Sequence, residues 1–287
     1  MGETRIPYSD ITWDLTIGCR KRSPGCENCW ATRTVHRLAA GQPRYRGQTT
    51  ADGRDWLQNS AVTLVQWNLP SPSRCAKPQF IFVNSKSDLF DERVPYEYIG
   101  QVFDRMWSTR QHQYMVCTKN PGRLGEFIAW YQRTPGSVTG LEIKWPDDFP
   151  HVILMTSIED AEHLDRWDQL RQIPASLRGI SVEPLLGPVG KGLREVLSAP
   201  HNPLPDWIIV GCEKLLGGRA GRWAGEDPES WWGAAAMIAE ICRRAATPPR
   251  LWLKQGPILR RGRVVVTNDM AEFPGLCRIQ ERPHWSL

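Results

Sequence analysis

The sequence predicts an α/β protein, built as a partial or complete (β/α) barrel with mainly parallel strands. Two observations predict this class. Short apolar runs alternate with amphipathic stretches along most of the 287 residues, which makes about seven strand–helix units. The apolar runs also end abruptly in polar or ionisable residues, as strands do at the ligand-binding mouth of a parallel barrel. A doubly wound open sheet is the alternative arrangement of the same units.

Apolar runs in the sequence mark the predicted strands, which comprise residues 11–17, 80–84, 114–118, 152–157, 179–183, 207–211 and 251–255. Helical patterns, with apolar residues three and four positions apart, comprise residues 30–38, 96–107, 123–132, 161–173 and 231–246. Together these elements predict one barrel domain over residues 1–259, interrupted by a polar excursion near residues 42–78. Residues 260–287 are predicted to form a C-terminal appendage.

Composition and charge restrict the functional class. The chain is 41% hydrophobic and 23% charged, which is typical of a globular protein that buries a core. Its longest apolar runs are far too short to cross a bilayer, and its N-terminus lacks the basic and apolar regions of a signal peptide. We therefore expect a cytoplasmic protein without a membrane partner. The net charge of +5 permits an anionic partner such as a nucleic acid or a nucleotide.

Three of the eight cysteines cluster after the first predicted strand: Cys19, Cys26 and Cys29, spaced as C-x6-C-x2-C. Three thiolates on one loop suit a [4Fe–4S] cluster in which one iron lacks a protein ligand. That iron can bind S-adenosylmethionine (SAM), whose reductive cleavage yields a 5′-deoxyadenosyl radical that abstracts hydrogen from a substrate. Two alternatives remain open: a structural zinc site completed by His36, and three thiols without a metal.

Polar side chains at the strand ends supply the other candidate site residues, because the carboxyl ends of parallel barrel strands face one mouth. The predicted cofactor-binding residues are Asn84, Ser85, Asp88, Thr118, Ser157 and Glu183. The predicted catalytic residues are Cys117, Lys119, Glu183, Glu213 and Lys254. Asp88 could instead cap the turn that follows its strand, and Cys117 could be a packing residue.

Six short motifs carry a resemblance to a known family. The first, over residues 12–31, reads Thr-Trp…Gly-Cys…Ser-Pro-Gly-Cys-x-x-Cys-aromatic-Ala, and the others are residues 82–90, 118–119, 181–188, 206–211 and 254–255. In these motifs the sequence resembles the phage- and mobile-element-associated three-cysteine-motif proteins, which are considered radical-SAM-like. The resemblance implies a barrel of radical-SAM type. The sequence departs from the family pattern at residues 211–215, with Gly-Cys-Glu-Lys-Leu for Gly-Gly-Glu-Ser-Gly, and at residues 254–257, with Lys-Gln-Gly-Pro for Lys-Gln-Trp-Gly.

These features predict a radical SAM enzyme that acts on a nucleobase, a nucleotide or a nucleic acid, with electrons from a donor such as flavodoxin or ferredoxin. The basic residues Arg219, Arg222 and those within 260–263, together with Trp223, could form a face for nucleic acid or a solvated surface. The alternative function is a non-enzymatic, zinc-containing nucleic-acid-binding protein.

Overall fold

The computed structural model describes residues 2–65, 71–134, 143–198, 204–245 and 247–283. The chain forms two compact units. The first unit holds the described residues up to Thr156 together with Gln172–Leu177. The second unit holds Ser157–Arg171 and the described residues from Arg178 onward. Strands and helices alternate in both units, so the predicted α/β class with mainly parallel strands is confirmed.

The strands are β1 (Gly2–Glu3), β2 (Ile11–Trp13), β3 (Thr16–Ile17), β4 (Thr63–Leu64), β5 (Phe80–Val83), β6 (Gln113–Thr118), β7 (Val152–Ser157), β8 (Leu177–Val182), β9 (Trp207–Gly211), β10 (Arg250–Arg260) and β11 (Arg263–Thr267). The α-helices are α1 (Trp30–Ala39), α2 (Tyr96–Trp107), α3 (Pro121–Arg133), α4 (Asp165–Leu170), α5 (Gly190–Ser198), α6 (Arg222–Glu226) and α7 (Pro228–Arg244). No helix within the described ranges is both long enough and apolar enough to cross a membrane.

The first unit is built on four parallel strands. β2, β5, β6 and β7 pair in that order, and β1 pairs antiparallel with β2. The register aligns Val83 with Val116 and Val116 with Leu154, and all three side chains are buried. Phe103 of α2 and Phe127 of α3 pack with their ring centroids 4.9 Å apart in the same core. The carboxyl ends of these strands, which carry several predicted site residues, therefore lie side by side.

The second unit repeats the parallel pattern. β8, β9 and β10 pair in parallel, and β9 is buried along its whole length, as expected for a strand covered on both faces. β10 extends well beyond residue 255 because the antiparallel strand β11 pairs with it as far as Arg260 and Arg263. Arg261 (φ 50°) and Gly262 (φ 71°) form the connecting turn, and this left-handed pair matches the twist of a two-residue hairpin.

The first predicted strand, residues 11–17, is divided in the structure. β2 belongs to the main sheet, whereas β3 pairs with β4 in a separate two-stranded sheet. The division has a defined cause: the backbone amides of Leu15 and Thr16 donate to the Asn84 side-chain oxygen, at 3.0 and 2.9 Å. The chain is thereby drawn out of the main sheet just before the three cysteines.

Two further differences concern helices and the polar excursion. The predicted helix over residues 161–173 is shorter, because Asp160 caps a 3-10 turn at Ala161–His163 and the α-helix begins only at Asp165. Helices α5 and α6 were not among the predicted elements. The predicted excursion near residues 42–78 contains the short strand β4, and its residues 66–70 lie outside the described part of the chain.

Candidate metal centre

The three cysteines lie on one loop of the first unit, residues 18–29, which we call the three-cysteine loop. Gly18 opens it with a φ of +106°, and a Cβ atom there would collide with the Gln48 carboxamide, so only glycine fits. Cys26 ends a 3-10 turn and donates its backbone amide to the Ser23 carbonyl, at 2.9 Å. Cys29 is the N-cap of α1. A tight turn, a 3-10 turn and a helix start therefore fix the three positions.

The thiols of Cys19 and Cys29 pack against a hydrophobic cluster formed by Ile17, Ala31, Val35, Tyr45, Trp56 and Val65. Burial is the main reason why the pKa of Cys19 lies well above its usual value, and the charges of Asp88 and of the other two thiols raise it further. Burial also raises the pKa of Cys29, while the backbone amides of Ala31 and Thr32 oppose this increase. The three thiols are thus close enough to influence one another electrostatically.

Cys26 behaves differently from the other two cysteines. Burial alone would raise its pKa, but the Lys119 charge and hydrogen bonds from Arg22 and Ser23 outweigh burial and lower it. The Lys119 ammonium group donates to the Ser23 hydroxyl at 3.0 Å, which places this cation beside the turn that carries Cys26. Cys26 is therefore the thiol of the loop that loses its proton most readily. The catalytic role predicted for Lys119 stays a prediction; in the structure its ammonium group bonds to Ser23, in the turn that carries Cys26.

Basic residues between Cys19 and Cys26 attach the loop to the rest of the first unit. Lys21 pairs with Asp55 at 2.6 Å, and Arg22 pairs with Glu92 at 2.5 Å. Both pairs are partly exposed, so each contributes at most about 1 kcal/mol. These two ion pairs link the loop to Asp55 and Glu92 and add little to the stability of the fold.

Asp88 joins the ends of β5 and β6 next to this loop. Its buried carboxylate accepts hydrogen bonds from the Thr118 hydroxyl (2.7 Å), the Lys119 amide (2.9 Å) and the Phe90 amide (2.9 Å). Burial raises the pKa of Asp88, and these three hydrogen bonds oppose the increase. Three predicted site residues (Asp88, Thr118 and Lys119) are thus bonded together, and the Asp88 charge also raises the pKa of Cys19.

Asn84 and Ser85, both predicted to bind cofactor, make structural contacts at the end of β5. Asn84 adopts a left-handed conformation, with φ 63°, that asparagine tolerates well. Its oxygen accepts from the Leu15 and Thr16 amides, and its nitrogen donates to the hydroxyls of Thr16 and Ser87. Ser85 donates to Asp14 at 3.0 Å. Both residues link the end of β5 to the segment that leads into the three-cysteine loop.

The remaining candidates divide between the two units. Cys117 lies half-buried on β6 of the first unit, one residue before Thr118. In the second unit, the carboxylate of Glu183 pairs with the ammonium of Lys254 at 2.7 Å. A Cβ atom at Gly211 would lie 2.8 Å from the same carboxylate, so a glycine there leaves room for this pair.

Two buried carboxylates of the second unit have arginine partners that the sequence did not reveal. Glu213 accepts from the Arg222 side chain at 3.0 Å. Glu159 is fully buried and accepts from Arg166 at 2.9 Å, and Arg166 also donates to the Ser157 carbonyl. The polar run after β7 contains both Ser157, a predicted site residue, and Glu159, whose burial no local pattern indicates.

The donor chemistry of the loop fits an iron–sulfur cluster better than a single zinc ion. Among the described residues, no group of three or more His, Cys, Asp and Glu side chains is placed so that it could hold a metal ion. His36, which the zinc alternative requires, is exposed and bonds through Nδ1 to the Thr49 hydroxyl at 3.2 Å. Three thiols on one loop are the donor set that such a cluster with one open iron needs.

Comparisons with known proteins give one family match and one structural likeness. The family model described as "Protein of unknown function (DUF5131)" matches residues 3–257. No curated protein matches the sequence. The solved structure of spore photoproduct lyase complexed with dinucleoside spore photoproduct is similar, with a TM-score of 0.46 and 11% sequence identity, over 96% of this chain and 74% of that chain. The family match spans the three-cysteine loop and all the strand-end residues described above.

Proposed function

We propose, given that the chain belongs to the DUF5131 family of proteins of unknown function, that it is a radical SAM enzyme whose Cys19, Cys26 and Cys29 hold a [4Fe–4S] cluster. The observation that carries this proposal is the gathering of three cysteines on one loop, where Cys19 and Cys29 pack on the same hydrophobic cluster and Lys119 bonds to the turn that carries Cys26. The resemblance to radical-SAM-like three-cysteine-motif proteins supports the same chemistry. A reducing compartment such as the cytoplasm would keep these thiols available.

The three cysteines and their neighbours would contribute to cluster binding in different ways. Lys119 favours the thiolate form of Cys26, which is the form that binds iron. Cys19 and Cys29 must lose their protons on binding, so the binding of the cluster is expected to release protons. The apolar cluster behind Cys19 and Cys29 excludes water from that side. When bound, the cluster supplies one electron to SAM, and a 5′-deoxyadenosyl radical results.

The strand-end residues of the first unit would complete the cofactor site. Ser85, Asp88 and Thr118 carry hydroxyl and carboxylate oxygens at the strand ends. These groups bond to Asp14 and to one another in the structure, and their remaining lone pairs can accept from the amine and ribose hydroxyls of SAM. In the second unit, Glu183 and Lys254 offer a paired acid and base for a substrate that carries polar groups. We propose a nucleobase, nucleotide or nucleic acid as substrate, consistent with the net charge of +5, and a flavodoxin or ferredoxin as electron donor.

Anaerobic reconstitution with iron and sulfide tests the proposal. We expect about four irons per chain with broad visible absorption, and release of 5′-deoxyadenosine when the reduced protein receives SAM. Cys26→Ala should lose both properties. Cys75→Ala is the matched control, because Cys75 is a half-buried cysteine outside the loop. Stoichiometric zinc without iron would instead support the non-enzymatic nucleic-acid-binding alternative, and equal iron contents in the two variants would contradict the ligand assignment.

A further inference from the structure

A cavity of about 560 Å³ lies in the second unit, and we call it the arginine cavity. Arg219, Ala220, Gly225, Arg263 and Val264 line it. Both arginine side chains are exposed. None of the lining residues belongs to the candidate metal centre, so the arginine cavity is a separate feature of the molecule.

Strand pairing places the two arginines on one face. The Ala220 amide donates to the Val264 carbonyl at 3.2 Å, and Arg219 forms an antiparallel bridge with Val265. Directly opposed residues of an antiparallel pair share a face, and side chains alternate along each strand. Arg263, two positions before Val265, therefore lies on the same face as Arg219. Such diagonal neighbours are about 7–8 Å apart, so both guanidinium groups reach the same space.

Close backbone packing brings α6 to the segment that carries Arg219. A Cβ atom at Gly225 would lie 2.7 Å from the Ala220 carbonyl oxygen, so the glycine lets α6 approach the segment that carries Arg219. This contact is independent of the arginine side chains. The backbone on this side of the cavity is therefore set by the fold.

Among the described residues, no carboxylate pairs with the arginines that line the cavity. Arg260 pairs with Glu272 at 2.6 Å, but the side chains of Arg219, Arg261 and Arg263 have no carboxylate partner within the described ranges. Arg261 is exposed at the tip of the β10–β11 hairpin. Like charges on one face repel each other, and a bound anion removes this repulsion. The arrangement is therefore suited to an anionic ligand.

We propose that the arginine cavity binds phosphate groups of a nucleic-acid backbone. A guanidinium group donates two parallel hydrogen bonds to a phosphate, which makes arginine better suited than lysine to this contact. Arg261, exposed in the turn of the same hairpin, adds a third cation near this face. Two arginines on one face and a third at the turn can contact different phosphates of one strand. This inference rests on the proposed function in that it names nucleic acid as the partner of the enzyme. Binding of nucleic acid at the arginine cavity does not require the cluster.

Fluorescence anisotropy with a labelled single-stranded DNA oligonucleotide tests this proposal on the full chain. Arg219→Gln with Arg263→Gln should weaken binding on the order of tenfold, because two charged hydrogen-bonding contacts are lost. Each single-strand phosphate contact contributes about 0.7 to the slope of log K against log salt. The double variant should therefore lower that slope by about 1.4. Arg244→Gln is the matched control, since Arg244 is an exposed arginine that pairs with Glu240 elsewhere in the second unit.

The outcomes separate this proposal from the proposed enzyme function. Cys26→Ala, which lacks the cluster, should bind the oligonucleotide as the parent does. Binding by the double variant that matches the Arg244→Gln control in affinity and salt slope would overturn the proposal. Capture of inorganic phosphate without binding of the oligonucleotide would also overturn it. Each single variant, Arg219→Gln and Arg263→Gln, is measured as well, so that a folding defect in the double variant does not decide the result.

Discussion

Replacing Asn84 by glycine should loosen the segment that leads into the three-cysteine loop. The Asn84 oxygen accepts hydrogen bonds from the buried amides of Leu15 and Thr16, at 3.0 and 2.9 Å. A buried donor left without a partner costs about 1–3 kcal/mol, so losing both bonds should cost about 2–6 kcal/mol. Urea unfolding followed by circular dichroism and tryptophan fluorescence measures this change. Reconstituted Asn84→Gly should also retain less iron than the parent.

The glycine variant separates the effect of the Asn84 side-chain carboxamide from the effect of the backbone conformation at this position. Asn84 has a φ of 63°, which glycine adopts freely. Asn84→Ala adds the strain of a left-handed residue with a Cβ atom, about 1–2 kcal/mol, and should be the less stable of the two. If Asn84→Gly has the same unfolding midpoint as the parent, the Asn84 carboxamide does not fix the segment that leads into the three-cysteine loop.

Two further predictions concern charged residues in each unit. Lys119→Met removes the cation that lowers the pKa of Cys26, so alkylation of Cys26, measured by mass spectrometry, should require a higher pH. Lys119→Arg keeps the charge and should react nearly as the parent does. An unchanged pH profile in Lys119→Met would contradict the effect assigned to Lys119. Arg166→Met removes the arginine partner of the fully buried Glu159, which keeps His163 at 4.0 Å, and should lower the free energy of unfolding by about 3–5 kcal/mol. Arg171→Met, which breaks a partly exposed pair, should cost at most about 1 kcal/mol, and equal losses in the two variants would argue against a buried pair.

Much of the fold follows from local periodicity, and the exceptions have long-range causes. Helix α2 begins and ends at the predicted residues, because its apolar positions recur three and four apart on one buried face. The prediction of one continuous strand over residues 11–17 is wrong because the amides of Leu15 and Thr16 bond to Asn84, which lies far away in sequence. No local pattern in residues 11–17 signals that partner.

The candidate site was predictable in position but not in its pairings. Parallel strands end together, so the rule that ligands bind at strand ends placed Asp88, Thr118 and Lys119 in one region. That rule does not predict that the charge of Lys119 lowers the pKa of Cys26, because the position of Lys119 depends on its hydrogen bond to Ser23 in the loop. The meeting of the strand ends of both units at one mouth stays a prediction.

Electron paramagnetic resonance of the reduced, reconstituted protein tests the central claim most directly. The account predicts an iron–sulfur signal that requires Cys19, Cys26 and Cys29 and that changes when SAM is added, because SAM occupies the iron without a protein ligand. A signal that persists in Cys26→Ala, or one that SAM leaves unchanged, would contradict the claim.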